Sequence, residues 1–372
     1  MKICMIGHKT VPSRDGGIEI VVEELASRMV KEGHEVTLYN RKRKNNPSKL
    51  EYKGIKLKDI FTIDKKSLDA IVYSYFATKK AIKEAKKGEF DVIHFHAEGP
   101  CNFLYMFGKF GTKKRNKIPK VIVTIHGLDW QRGKWGGFGS KIILRGEKQA
   151  VKNADEIIVL SENVRNYFKE KYNRDTIFIP NGVSKPNLHE PELILNKWNL
   201  KKDDYILSLA RMVPEKGIHY LVEAWKRLTN VEKNGKKLVI AGGSSHSSDY
   251  YEQIKNMVKD DSSIILTGFV QGQLLDELYS NAYLYVLPSD VEGMPMSLLE
   301  AQAYGNICLV SNIDENMQVI NDKSFTFEKS NINELSNKLK EIISMKLTTH
   351  NEFFIKYSWD DVVKNTIDIY KK

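Results

Sequence analysis

Cysteine is scarce in this 372-residue chain, which holds only Cys4, Cys101 and Cys308. Their spacing fits neither a zinc site nor a disulfide framework, so a reducing cytosol is the expected home. Long hydrophobic runs are also lacking: no apolar stretch approaches the roughly 20 residues of a membrane span. The amino-terminal MKICMIGHKT has too short an apolar stretch for a signal peptide and reads as a first buried strand. There is no low-complexity tract, no solenoid period and no Asp-x-Asp pair, the usual carboxylate handle for a metal–diphosphate complex.

What is plentiful is positive charge, and it is uneven. The net charge is +11; residues 1–183 carry 36 Lys+Arg against 21 Asp+Glu, and the remainder 22 against 26. Basic clusters include Arg41-Lys42-Arg43-Lys44, Lys79-Lys80 with Lys83, Lys86 and Lys87, and Lys113-Lys114-Arg115. Taken singly, each is a solvated surface. Summed over one half, they suit an anionic membrane surface or an anionic acceptor. Nucleic acid is disfavoured as a partner, because no helix-turn-helix, zinc-finger or RNA-binding signature accompanies the charge.

Short β-branched runs alternate with helical patterns, the mark of parallel α/β sheets. One series runs KICMIG, EVTLYN, DVIHFH, KVIVTIH, EIIVLS, TIFIPN; a second runs YILSLA, KLVIAGG, IILTGF, AYLYVLPS, NICLVSN. Between them PNGVSKPNLHEPEL reads as a connection. The expected domains are residues 1–183, residues 184–350 and a final helical segment, 351–372. Two doubly wound sheets facing across a cleft would line it with strand carboxyl ends, where ligands of open α/β sheets bind.

Candidate site residues therefore lie at strand ends. After the first strand, Gly16 and Gly17 open a helix and serve either a tight turn or close approach of backbone N–H groups to a phosphate. YILSLA leads into ARMVPEKG, where Pro214 is expected in a helix's first turn with Arg211 and Lys216 beside it. Cations are disfavoured at that pole by the helix dipole, which points away from a local stabilising role and towards a bound diphosphate. In VEGMPMSLLEA, Glu292 precedes a helix expected to begin at Pro295, and Glu300 lies within it. Glu300 is placed to accept ribose hydroxyls and Glu292 to face the other end of the ligand. His126 ends another strand, ahead of Asp129, Trp130, Arg132 and Trp135. A histidine there is often a satisfied structural residue, whereas exposed tryptophans in a glycine-rich loop suit sugar or lipid. His94 and His96 lack an acidic partner at ligand spacing and read as structural, so no metal site is expected.

Taken together these segments resemble glycosyltransferase family four, retaining enzymes of the GT-B type, over nearly the whole chain. The glutamate pair in EGMPMSLLE is the most specific element; ARMVPEKG, the GG of PSRDGG and the closing SWDDVVKNTIDIYKK add to it. PSRDGGIEIVVEEL, HGLDWQRGKWGGF and AGGSSHSSDYY are similar to a subgroup that includes rhamnosyltransferases of bacterial surface polysaccharide assembly. The resemblance implies two Rossmann-like domains, the first for acceptor and the second for a nucleotide-sugar donor, with no cofactor and no metal.

By that resemblance Arg211 and Lys216 hold the donor diphosphate, Gly16 and Gly17 approach it, and Glu300 binds ribose. His126 and Glu292 contact the donor sugar at the reacting centre. Asp129, Trp130, Arg132 and Trp135 are the acceptor candidates. The first donor choice is dTDP-rhamnose, otherwise a UDP- or GDP-hexose. The acceptor expected is lipid-linked or a glycan, reached by a cytoplasmic protein peripheral to the inner membrane face. A nucleotide-sugar epimerase of the same architecture and a non-catalytic nucleotide-sugar-binding protein remain the alternatives.

Overall fold

The computed structural model describes the chain except for residues 15, 43–49, 64, 66–67, 109–118, 132–136, 244–247, 322–323 and 346–352. The chain divides into two compact units. One comprises Met1–Gly182 with Tyr357–Lys372, the other Val183–Lys356. The breaks fall at 182/183 and 356/357, against the expected 183/184 and 350/351. No described helix is long and apolar enough to cross a membrane.

The first unit holds β1 (Lys2–Ile6), β2 (Glu35–Arg41), β3 (Glu51–Tyr52), β4 (Ile55–Ile60), β5 (Val92–His96), β6 (Lys120–Ile125), β7 (Glu156–Val159) and β8 (Ile177–Phe178). They form one sheet in the order β3-β4-β2-β1-β5-β6-β7-β8, parallel except for the β3–β4 pair. Strands such as KICMI and VIHFH are buried almost end to end because helices cover both faces. The order reverses between β1 and β5.

The second unit holds β9 (Tyr205–Leu209), β10 (Lys237–Ala241), β11 (Ile264–Gly268), β12 (Leu284–Leu287), β13 (Cys308–Ser311) and β14 (Phe325–Phe327). This sheet is parallel throughout, in the order β11-β10-β9-β12-β13-β14. Counted within the unit that is the Rossmann order, with its reversal between β9 and β12. Each unit has its own apolar core, built on Ile206, Leu238 and Trp225 in the second and on Ile93, Phe95 and Val123 in the first. Three strands, β3, β4 and β14, lie outside the expected series.

The helix Trp359–Lys371 belongs to the first unit although the second intervenes in sequence. Ser358 caps it, accepting from the Asp361 N–H at 3.1 Å. Trp359, Val363, Ile367 and Tyr370 are buried. At its far end the Tyr370 hydroxyl lies 2.6 Å from His94 Nδ1, and Lys120 Nζ donates to the Ile369 carbonyl at 2.7 Å.

Candidate active site

In the second unit the loops after β9 and β12 leave the sheet side by side at the strand-order reversal. Arg211 follows β9, half-buried, its backbone pinned by the Met212 N–H on the Gly243 carbonyl at 3.2 Å. The next turn differs from expectation. Pro214 does not begin the long helix; Pro214–Lys216 is a separate 3₁₀ turn, and the α-helix Ile218–Lys226 starts after Gly217. The cause is close passage beside the end of β12. Gly217 has φ +64°, and a Cβ there would sit 2.0 Å from the Pro288 carbonyl oxygen, so only glycine fits. The Asp290 N–H donates to the Glu215 carbonyl at 2.9 Å, tying the two loops together.

That passage brings Lys216 onto Glu292: Nζ and Oε1 are 2.5 Å apart, with side-chain exposures of 15% and 6%. The Ser289 hydroxyl donates to the same Oε1 at 2.7 Å. Ser289 is held in turn by Ser311 Oγ, which donates to its carbonyl. Glu292 thus stands in the loop, as expected. Pro295 caps the helix Met296–Ala303 from outside instead of starting it. Within that helix Glu300 Oε2 accepts from the Tyr279 hydroxyl at 3.0 Å. Burial, with the nearby Glu300 charge, pushes the Tyr279 phenol well above its ordinary value and keeps it a donor.

In the first unit, β1 and β5 nearly touch at their carboxyl ends. Gly7, with φ +127°, would place a Cβ 2.1 Å from the His96 carbonyl oxygen. Around this point lie four buried histidines. His94 is bonded to Tyr370 and, through Nε2, to Thr124 Oγ1 at 2.7 Å. His96 Nδ1 faces His126 Nε2 at 3.1 Å, and His8 Nε2 faces Asn40 Oδ1 at 3.0 Å. Burial lowers His8 to about 4, His94 to about 3, and His96 well below its ordinary value. His126, only 8% exposed, is therefore engaged inward by His96.

The helix Gly17–Lys31 starts with Gly16 as its cap and no side-chain capping bond. Glu19 accepts from the Lys9 N–H at 2.9 Å, fastening the preceding loop to the helix start. A Cβ on Gly16 would meet Glu19 Oε2 at 2.3 Å, whereas one on Gly17 would meet nothing within 4 Å among the described residues. Gly16 is thus fixed by its neighbours, and Gly17 leaves open room above a helix pole.

For the acceptor candidates the structure makes one correction. Arg132 and Trp135 lie outside the described residues. Trp130, expected as an exposed platform, is half-buried: its ring packs on Tyr167 at 6.3 Å, with the Lys171 ammonium 5.5 Å from its centroid. Lys171 also lies over Tyr167 and Tyr172, at 4.6 and 5.1 Å, and all three are gathered by the fully buried Glu147. The chain's own Lys171 ammonium lies over the indole where an outside ligand was expected. Asp129 is anchored through its N–H, which donates to Glu98 Oε1 at 3.1 Å. Glu98 was not singled out from sequence. It is fully buried just after β5, its Oε2 has no hydrogen-bond partner among the described residues, and burial raises its carboxyl well above the usual range.

Comparison with known proteins agrees with this architecture along the whole chain. The family described as Glycosyltransferase Family 4 matches residues 15–185, and that described as Glycosyl transferases group 1 matches residues 192–358. An uncharacterized glycosyltransferase of Methanocaldococcus jannaschii is 26% identical, covering 100% of this chain and 98% of that protein. The UDP-Gal:alpha-D-GlcNAc-diphosphoundecaprenol alpha-1,3-galactosyltransferase of Escherichia coli is 26% identical, covering 71% of this chain and 69% of its own. Among solved structures, Anabaena HepE in complex with UDP and glucose superposes with a TM-score of 0.77 over 100% of both chains at 14% identity, a likeness of fold. With both halves matched and a relative aligned along its full length, the chain belongs to glycosyltransferase family 4 and has the GT-B fold.

Proposed function

We propose that this glycosyltransferase of glycan synthesis transfers a sugar with retention of anomeric configuration, from a nucleotide diphosphate donor held by its second unit. The observation that carries the reading is the Lys216–Glu292 pair at the strand-order reversal, with Arg211 on the loop before it and Glu300 in the helix behind. Arg211 and Lys216 take the diphosphate. Glu300, one oxygen fixed by Tyr279, takes the ribose hydroxyls; Glu292 takes the sugar.

Chemically, negative charge grows on the leaving diphosphate as the sugar gains oxocarbenium character, and cations already in place stabilise that growth. Glu292 neutralises Lys216 within the loop pair. Donor binding turns the ammonium towards phosphate oxygens and frees the carboxylate for a sugar hydroxyl, so charge and orientation change together. Attack on the same face, with the departing phosphate accepting the acceptor proton, needs no protein nucleophile and no metal. Gly16 and Gly17 supply backbone N–H groups for the phosphates, His126 contacts the donor sugar beside the reacting centre, and Asp129 belongs to the acceptor side.

The first donor choice is dTDP-rhamnose, on the likeness of PSRDGGIEIVVEEL and HGLDWQRGKWGGF to the rhamnosyltransferase subgroup. A lipid-linked or glycan acceptor at an anionic membrane surface fits the excess of positive charge in residues 1–183. The diphosphoundecaprenol acceptor in the name of the Escherichia coli relative favours the same reading. A thermal-shift panel of dTDP-, UDP- and GDP-sugars tests it, because only a ligand preferring the native state raises the midpoint. One donor class is expected to raise Tm, and Glu292→Gln to lower kcat more than donor affinity. No shift with any nucleotide sugar would overturn the reading, as would a product of inverted configuration by NMR.

A further inference from the structure

Resting on the membrane-side acceptor just proposed, the geometry points to a specific docking surface. We propose that the outer side of the helix Asp69–Ala85, together with Phe61, seats this chain on an anionic lipid bilayer. The inner side of the helix is accounted for: Tyr73, Ala77, Ala81 and Ala85 are buried in the first unit's core. The outer side is not polar throughout, as a solvent-facing helix would be: it carries aromatic rings ahead of its lysines. Tyr75 and Phe76 are exposed there at 37% and 39%, and Phe61, just after β4, at 55%. The rings form a continuous edge-to-face chain, Phe61–Phe76 at 5.4 Å, Phe76–Tyr75 at 5.2 Å and Tyr75–Phe103 at 5.5 Å. An ordered cluster of that size turned outward marks an interaction surface.

Its border supplies the charge complementarity. A groove of about 760 Å³ is lined by Phe61 and Phe76 together with Lys79, Lys80, Lys83, Lys86 and Lys87. Successive helical turns carry Tyr75 and Phe76, then Lys79, then Lys83, so aromatic rings lead and lysines follow along one side. Five lysines face three acids among the described lining residues, Asp59, Glu84 and Glu89, and the last two are turned to another partner. Glu84 accepts from Lys58 at 2.8 Å and Glu89 lies 3.7 Å from the same ammonium. Rings of this kind settle at the depth of lipid headgroups while lysine stems extend over the surface to anionic phosphates. The cations are lysines, flexible point charges suited to a diffuse anionic sheet, and not the planar forks that read a fixed partner.

Flotation tests this with vesicles of phosphatidylcholine and of an equimolar phosphatidylcholine–phosphatidylglycerol mixture at low salt. The full chain is expected to float with the mixed vesicles. Lys79→Gln with Lys83→Gln should cut that partition by about tenfold or more. Phe61→Ser with Phe76→Ser should weaken it as well, and added salt should release the wild type. Every variant should keep the donor-induced thermal shift, which separates this surface from the donor site. A wild type that stays unbound, or variants that float like it, would overturn the proposal. A wild type that floats while responding to no nucleotide sugar would support the surface and overturn only the glycosyl-transfer reading.

Discussion

Lys216 is the most informative single residue, because its partner is Glu292, the carboxylate expected to meet the sugar. Lys216→Ala removes the ammonium and leaves Glu292, 6% exposed, with the Ser289 hydroxyl on the same oxygen. The loss of a charge-assisted bond to the diphosphate is expected to cost about 1.5–3 kcal/mol of donor affinity. Arg211→Ala should cost a similar amount. The two differ in one respect: Lys216→Ala should also depress folding stability, since it strands a nearly buried carboxylate. Calorimetric titration of donor and a denaturant midpoint on each variant check both statements. Equal donor affinity in wild type and variants would remove these cations from the site.

At the scale of elements, the legible parts of the sequence were those whose burial leaves a continuous trace. Strands such as β1, β10 and β12 are buried along nearly their whole length and spell near-continuous apolar runs. β4 hides because Lys56, Lys58 and Asp59 interrupt Ile55-Leu57-Ile60, and β14 because it is only three residues long. Site residues at strand ends were legible as polar punctuation after apolar runs. Glu98 and the Lys171 box were not, since their meaning lies in partners far along the chain. Gly217 is a local device that the sequence did not reveal, because Pro214 was expected in the first turn of a helix that in fact begins after Gly217. Gly217→Ala is expected to destabilise the second unit by about 1–3 kcal/mol or to displace the loop after β12. A fall in Tm with a matching loss of donor response would show it; unchanged stability and affinity would contradict the close approach to Pro288.

The strand-end histidines give the first unit a pH dependence with a definite sign. Their folded pKa values lie below the ordinary 6.5, at about 4 for His8 and about 3 for His94. The unfolded chain therefore binds protons that the native state refuses. Their stabilising effect is fully present above about pH 6.5 and is lost as pH falls towards those folded values, by up to about 1.4 kcal/mol per pH unit for each histidine. Thermal melts from pH 7.5 to 5 should show Tm falling below 6.5, with a shallower slope in His94→Phe. A flat profile would show that these rings titrate normally.

On the scale of the whole molecule, the first unit is built from both ends of the chain and the second from the middle. Trp359→Ala should cost about 3–5 kcal/mol, and the loss should fall on the first unit alone. Hydrogen exchange resolves this: amides of β1 and β5 should lose protection while those of β9 and β12 keep theirs. Uniform loss in both units would mean that they unfold as one.

The position of that closing helix sets an order of events during synthesis. A ribosome releases Met1–Gly182 long before Trp359 exists, so the nascent first sheet waits with His94 and its neighbours uncovered while the middle of the chain can already fold. A message cut short before Trp359 yields a product whose first sheet lacks the helix that covers His94.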